Sequence, residues 1–270
     1  MTVSSSIIQL ISQYRKKLLL IIGTVTLLAL VISLLMPEEY MSQASILPAN
    51  SKMMDKQRLF GANIQELYSA YGNADDLDRL YATMRSSAVL NFVADSFHLL
   101  QHYHLENARN GAIKSYKKMQ KNIELLKTEY GEIRIRVWDK DPAMAANIAN
   151  TIISRTRVLS DKMFTEFYEL SIEKMTGELS GKTVLIHSLK DSSADERKEL
   201  EAEAAVIRNR MMEYRVTLLN PPPALFILDK AEPSTVADRP YVLLNVFLGF
   251  LLAAFSSFLW LAITHAGKWS

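Results

Sequence analysis

Two stretches of the chain run without a charge for longer than a soluble helix usually allows. Leu18 to Met36 carries none, with Arg15, Lys16 and Lys17 before it and Glu38 and Glu39 after it. Pro240 to Thr264 carries none either, with Asp238 and Arg239 before it and His265 and Lys268 beyond. At about 1.5 Å rise per residue the first run makes a helix of roughly 28 Å, and the second exceeds the ~30 Å of a hydrocarbon core. Core helices of that length normally show a charge on their outer face, so both runs are expected to cross a membrane. A cleaved leader fits the first run poorly, because the chain continues Met36-Pro37-Glu38-Glu39-Tyr40 without a small-residue cleavage site. Tyr241, Trp260 and Trp269 suit an interfacial aromatic belt at the ends of the second run. The basic cluster at 15–17 places the N-terminus in the cytoplasm and the acidic pair at 38–39 on the far side. The expected organisation is a cytoplasmic stub (1–17), a membrane helix (18–36), an outer domain (37–239), a second membrane helix (240–264) and a cytoplasmic tail (265–270). That topology leaves no expected room for an output domain in the cytoplasm.

Between the spans the pattern changes period several times. Tyr40 to Leu47 reads as a strand ended by Pro48 and Asn50, and residues 58–71 and 77–101 read as helices separated by a break at Asn73 to Asp76. Ser86 or Ser87 can cap a fresh helix starting at Ala88. Ile123 to Lys127 and Glu132 to Trp138 read as a hairpin turning through Glu129-Tyr130-Gly131. Ile133, Ile135 and Val137 fall on one face of the second strand, and Arg134, Arg136 and Trp138 on the other. Asp141-Pro142 is a strong helix start, and helical spacing continues through Ala145, Ile148, Ala149 and Ile152 towards Leu179. Gly177 and Gly181 weaken that helix, and Asp191-Ser192-Ser193 marks a turn. A charged helix follows from Ala194 to Leu219, stopped by Pro221-Pro222-Pro223, and Ala224 to Leu228 is a short strand before the second span. With only a thin apolar stripe, the 194–219 helix needs to pair with its own upstream half or with a neighbouring subunit. The fold class is therefore α+β: two transmembrane helices flank an outer domain with a small membrane-proximal sheet and a long helical protrusion.

Composition adds limits. A net charge of +2 over 270 residues does not suggest a nucleic-acid partner, and the absence of cysteine is compatible with a periplasm without identifying one. Gly177-Glu-Leu-Ser-Gly-Lys-Thr183 resembles a phosphate-binding loop, but it has three residues between its glycines instead of four and no strand before it. His98, His102 and Glu106, with His104 nearby, have a spacing that can hold a metal on a helix. The helix is expected to end near Gln101, however, and no further ligand cluster follows. The acidic pairs Asp75-Asp76 and Glu38-Glu39 fall in caps and membrane flanks. No catalytic, cofactor-binding or metal residue is assigned, and no enzymatic activity is expected. Neither span holds an ionisable group, which argues against an ion path. Gly23, Thr24, Thr26, Ser33, Asn245, Gly249, Ser256, Ser257 and Thr264 instead suit helix–helix contact, within the chain or with another membrane protein.

Four segments in order resemble the polysaccharide co-polymerases, the chain-length determinant (Wzz-type) proteins of bacterial envelopes. They are Tyr40-Met-Ser-Gln-Ala44 after the first span, Met84-Arg-Ser-Ser-Ala-Val-Leu90, Glu132 to Asn150 with its strand and Asp-Pro cap, and Ala231-Glu-Pro233 to Asp238-Arg-Pro240. The resemblance implies an inner-membrane protein with both termini cytoplasmic and the main domain periplasmic. It implies a ring-like homo-oligomer that sets the length of a lipopolysaccharide O-antigen or related polymer beside a lipid-linked-sugar polymerase, without a cofactor. Its expected partners are its own copies, that polymerase, the growing polysaccharide and membrane lipid, and no nucleic acid. The helical region is short for the family, and the kinase extension of the capsule branch is not expected. A structural subunit of an export assembly shares the same topology, and a two-span sensor is the more distant alternative.

Overall fold

The computed structural model describes residues 3–50, 71–189, 194–219 and 221–264. Its elements are α1 (Val3–Leu35), β1 (Glu39–Pro48), α2 (Ala74–Met84), α3 (Ser87–Ser96), α4 (Leu99–His102), α5 (Gly111–Lys121), β2 (Ile123–Lys127) and β3 (Ile133–Asp139). They continue with α6 (Pro142–Ser188), α7 (Ala194–Leu219), β4 (Leu225–Asp229), β5 (Ala237–Arg239) and α8 (Val242–Thr264). The architecture is α+β, with membrane-length helices at both ends. Two compact units form. One holds the chain up to Met41, Trp138–Ala145 and the chain from Pro233; the other holds Ser42–Val137 and Ala146–Glu232.

The larger unit is built around strands in the order β2-β3-β1-β4. β2 and β3 form the expected antiparallel hairpin, with Ile123 opposite Val137, Leu125 opposite Ile135 and Lys127 opposite Ile133. Gly131 turns it at φ +78°, a conformation that needs a residue without Cβ. Ile133, Ile135 and Val137 are buried, as the alternation requires. On the opposite face Glu124 lies across from Arg136 and pairs with it at 3.5 Å. β1 pairs antiparallel with β4, Ile46 opposite Ile227 and Pro48 opposite Leu225, with an irregularity after Ser45. The Ser45 hydroxyl donates to the Asp229 carboxylate at 2.9 Å. The strands expected at 40–47 and 224–228 thus close on each other.

The expected single helix over 77–101 is instead three helices, α2 to α4. The apolar positions keep helical spacing, and Leu77, Leu80, Met84, Val89, Leu90 and Val93 are buried. The backbone is interrupted because Ser86 leaves the helix and its hydroxyl accepts the Val89 N–H. His98 interrupts it again in a left-handed conformation. The break at Asn73 to Asp76 is a capping box, with the Asn73 and Asp76 side chains each accepting the other's N–H. Of the helix expected at 58–71, all but Tyr71 lies outside the described residues, and Tyr71 forms an isolated bridge with Ala49. The expected turn at 191–193 also lies outside them.

Asp141 caps α6 as expected, its carboxylate accepting the Ala143 N–H at 2.9 Å. The first turns of the part of α6 in this unit bury Ala146, Ile148, Ala149, Ile152 and Ile153. The helix runs through Gly177 and Gly181 without a break. Each glycine costs only about 0.5–1 kcal/mol in a helix, too little to end one that is otherwise well paired. The expected pairing of α7 with its upstream half is present. Tyr168 meets Tyr214 edge to face at 4.9 Å, the Thr176 hydroxyl meets the Met211 sulfur at 3.4 Å, and Lys182 ion-pairs with Glu203. The residue numbers fall on α7 as they rise on α6, so the two helices run antiparallel.

Asn150 on α6 closes the unit. Its side-chain amide donates to the Ala231 carbonyl at 2.9 Å, and its oxygen accepts the Ala231 N–H at 3.0 Å. Ala231 is buried, so no solvent replaces these bonds. Asn150→Ala is expected to destabilise the full-length chain in detergent by about 2 kcal/mol or more, since both backbone groups lose their partner. Asn150→Gln should restore little, because its longer arm misplaces both bonds; denaturant titration followed by Trp fluorescence checks the pair. Asp161, also on α6, supplies a pH signature. Burial raises its carboxyl above the ordinary carboxylate range, and Arg157 offsets this only in part. A carboxyl raised on folding contributes stability below its unfolded pKa, and that contribution is lost as pH rises through the folded value. Asp161→Asn should therefore raise the melting temperature at neutral pH, and the gain should vanish as the medium is acidified below the unfolded carboxylate range.

Candidate functional site

The smaller unit is organised by the two apolar helices. Gln13–Leu35 and Val242–Leu261 are each long and apolar enough to cross a membrane. They pack antiparallel: Ala29 meets Gly249, Ser33 meets Asn245, and Tyr14 meets Trp260 edge to face at 6.4 Å. A Cβ on Gly249 would lie 2.6 Å from that of Ala29, so glycine sets how closely the helices approach. The Asn245 amide donates to the Ser33 hydroxyl at 3.0 Å, and Ser33, Ala253, Ser257 and Leu261 are buried. The small and weakly polar residues marked in the sequence thus include a self-packing seam, while Leu243, Phe247, Phe255 and Ile263 face outward.

Next to the ends of these helices the chain is clamped by charge and aromatic contact. β5, which the sequence pattern did not predict, pairs with the start of β1, Glu39 opposite Arg239 and Tyr40 opposite Ala237. Glu39 and Arg239 also form an ion pair at 3.3 Å. The Arg239 guanidinium lies 4.3 Å from the Trp138 ring, and the Trp138 indole N–H donates to Asp238 at 2.7 Å. This explains why Trp138 is buried although it sits on the arginine face of its strand. The Tyr241 hydroxyl donates to the same carboxylate at 3.0 Å. Tyr40 donates to Glu38 at 3.0 Å, and that bond to a carboxylate raises the phenol above its ordinary pKa. The clamp ties the segment that follows α1 to the segment that precedes α8; it presents no nucleophile beside a base.

In the larger unit the sequence-marked residues separate. His98 has a left-handed backbone, so His98, His102 and Glu106 do not stack on one helix face. Among the described residues no group of three or more histidines and carboxylates is placed to hold a metal. Residues 177–183 are one continuous stretch of α6, with the wrong backbone to cradle a phosphate. Asp76 is buried, but its carboxylate serves the Asn73 cap and an ion pair to Arg79 at 2.6 Å. It lines a mainly apolar cavity of about 360 Å³ with Leu80, Met163, Phe164 and Phe167.

The broadest features of this unit are surfaces. Met163, Phe167 and Leu170 on α6 are exposed at i, i+4, i+7, and Met212, Val216 and Leu219 repeat the spacing on α7. Each set forms one helical face, and such faces suit contact with another protein surface. No protein-family model matches the chain, and no curated protein matches it. Among solved structures, a full-length bacterial polysaccharide co-polymerase is similar over 97% of this chain and 97% of its own, with 11% identity and a TM-score of 0.47. A fragment of WzzB, polysaccharide co-polymerase from Salmonella Typhimurium, is similar over 75% of this chain and 100% of the fragment, with 13% identity and a TM-score of 0.44.

The helix seam has a direct test in a chain without native cysteine. Ser33→Cys with Asn245→Cys should cross-link within one chain on mild oxidation, seen as faster migration on a non-reducing gel. Adding Gly249→Val should lower the yield several-fold by holding the helices apart.

Proposed function

We propose that the chain regulates the length of a bacterial surface polysaccharide, an O-antigen or related polymer, as a non-catalytic partner of a lipid-linked-sugar polymerase. On this reading it spans the inner membrane twice, keeps both termini in the cytoplasm and exposes residues 37–239 to the periplasm. It works as a ring-like assembly of identical chains.

One observation carries the reading. Three of the four segments that resemble the chain-length determinants are far apart in sequence, yet they are hydrogen-bonded together. The Ser42 hydroxyl, from the Tyr40–Ala44 segment, donates to the Glu232 carbonyl at 2.9 Å. Asn150, which closes the Glu132–Asn150 segment, holds Ala231 by two bonds. Arg136 of the same segment donates to Gln43 at 2.9 Å. Isolated chance matches would have no reason to converge on one small sheet. The exposed apolar faces of α6 and α7 support self-association, since a stripe at helical spacing is stable in water chiefly when a second surface covers it.

The physical route to length control is multivalent. Copies of a weak glycan-contacting surface, arrayed by assembly, hold a growing chain longer than any one of them. Longer retention near the polymerase gives longer products. Deleting the gene and separating the surface polysaccharide by gel electrophoresis tests this. The expected result is loss of the preferred chain length, restored by the wild-type gene in trans; an unchanged ladder sinks the reading.

A further inference from the structure

Helix α5 is not anticipated from the sequence, and its cations sit in a stretch that carries no acidic residue. Several cations elsewhere are matched: Lys162 with Glu166 at 3.5 Å, Arg197 with Glu201 at 3.1 Å, Arg134 with Glu132 and Lys127 with Asp78 at 2.5 Å each. On α5, Lys114, Lys117 and Lys121 are all exposed, and Arg109 precedes them in the turn before the helix. None of the four side chains has an ion-pair or hydrogen-bond partner among the described residues. Between Asn107 and Ile123 the sequence contains no acidic residue at all.

Helix electrostatics explain only part of this. Lys118 and Lys121 lie in the last turn, where a cation complements the helix dipole, and Lys118 also rests on the Tyr103 ring at 4.3 Å. Lys114 lies in the first turn, where a cation opposes the dipole, Lys117 gains nothing from it at mid-helix, and like charges three residues apart repel. Lys114, Lys117 and Lys121 share one face, giving a row about 10 Å long at 1.5 Å per residue. An extended polyanion matches such a row better than a single ion does.

Through Gln120, the neighbour of Lys121, α5 also lines a groove of about 380 Å³. Its other walls include Tyr81, Arg85, Ile123 and Glu124. The lining mixes hydrogen-bonding groups with apolar surface, the mixture that a sugar ring presents in its hydroxyls and its C–H face. A membrane surface fits less well. Interfacial helices insert an apolar face, whereas the exposed side of α5 offers only Ile113, and Met119 is buried in the protein.

We propose that the α5 row and the adjoining groove bind an acidic glycan, with its carboxylates on Lys114, Lys117 and Lys121 and a neighbouring sugar in the groove. This rests on the polysaccharide reading above and narrows it to polymers that carry uronate-type charge. Calorimetry of the full-length chain in detergent, titrated with a defined oligogalacturonate, tests it. Binding should weaken as salt shortens the screening length below about 8 Å, and a neutral dextran oligomer of equal length should bind roughly tenfold more weakly or not at all. K114E/K117E/K121E should lose about tenfold or more in affinity, while K162E/K174E/K198E on the α6–α7 hairpin should bind as wild type. Because the substituted lysines are exposed, thermal melts should match wild type; if the glutamate variant fails to fold, K114Q/K117Q/K121Q decides, with a loss of at least several-fold. Equal binding by both triple variants, or equal binding of dextran, overturns the proposal. Charge-sensitive binding to phosphatidylglycerol vesicles without binding to the oligogalacturonate overturns it in favour of lipid. Oligogalacturonate failure beside a polysaccharide ladder that still shifts on gene deletion removes this inference and leaves the length-control reading standing.

Discussion

Everything in the larger unit depends on one strand finding partners far away in the chain. β1 starts just past α1, and its C-terminal half takes β4 as an antiparallel neighbour, closing a loop in which Ser45 and Asp229 are 184 positions apart. Closing so long a loop costs entropy, but the cost grows only with the logarithm of length, so inserting helices between the strands adds little to it. The difficulty is to secure the closure, because a two-strand pairing alone is marginal in water. The chain secures it with bonds to backbone: Ser42 on Glu232, Asn150 on the buried Ala231, and the Ala49 N–H on the Ala224 carbonyl at 3.1 Å. With β3 next to β1 on its other side, the sheet becomes a platform that α6 can pack against with its run of alanines and isoleucines.

That packing is confined to the first turns of α6. Beyond Ser160 the helix continues for most of its length with large apolar residues exposed, supported by α7 through a Tyr–Tyr contact, a sulfur contact and an ion pair. Two helices can bury one stripe of each against the other; the second stripe of each stays open. Such a hairpin leaves surfaces that a second copy could cover. The exposed stripes and the dipole-mismatched lysines of α5 are therefore of one kind: both are features that folding alone does not account for.

How much of this was legible in the sequence follows the strength of local signals. The hairpin β2–β3 was legible because Ile133, Ile135 and Val137 alternate without exception and Gly131 sits at the turn. The start of α6 was legible because Asp141-Pro142 is a cap and a first-turn residue in the right order. Segments whose identity comes from elsewhere were not. α5 buries Gly111, Ser115 and Met119, residues that carry no apolar period, so its helical face was silent. β5 is three residues, Ala237–Arg239, and is extended only because Glu39 and Tyr40 pair with it. The apolar rhythm of 77–101 was real, yet it says nothing about the backbone, and Ser86 and His98 cut one helix into three without disturbing the buried set. Asn150 and Ala231 were each visible as members of a motif, while the pairing between them across 81 positions was not.

The same distinction bears on function. A catalytic site concentrates its signal: a few titratable groups at fixed spacing, one cleft, shifted pKa values. In this protein the chemistry-bearing residues marked in the sequence scatter or are consumed by structure, with Asp76 in a cap, His98 in a turn and Gly177–Thr183 in a helix. What repeats is weak and extended, a row of lysines and stripes of apolar residues along a hairpin. A single lysine on an exposed helix binds a carboxylate with little net energy. On the proposed reading, three in a row, multiplied by the copies of an assembly, would raise the local concentration of sites so that release from one is followed by capture at the next. Affinity differences of this kind act mainly through the rate of leaving. In that proposal the length a polymer reaches before it escapes would depend on how many such surfaces are arrayed and how far apart they stand. Tuning those quantities would call for a fold that fixes α5 on its sheet and leaves the faces of α6 and α7 open to a second copy, which is what the described residues present.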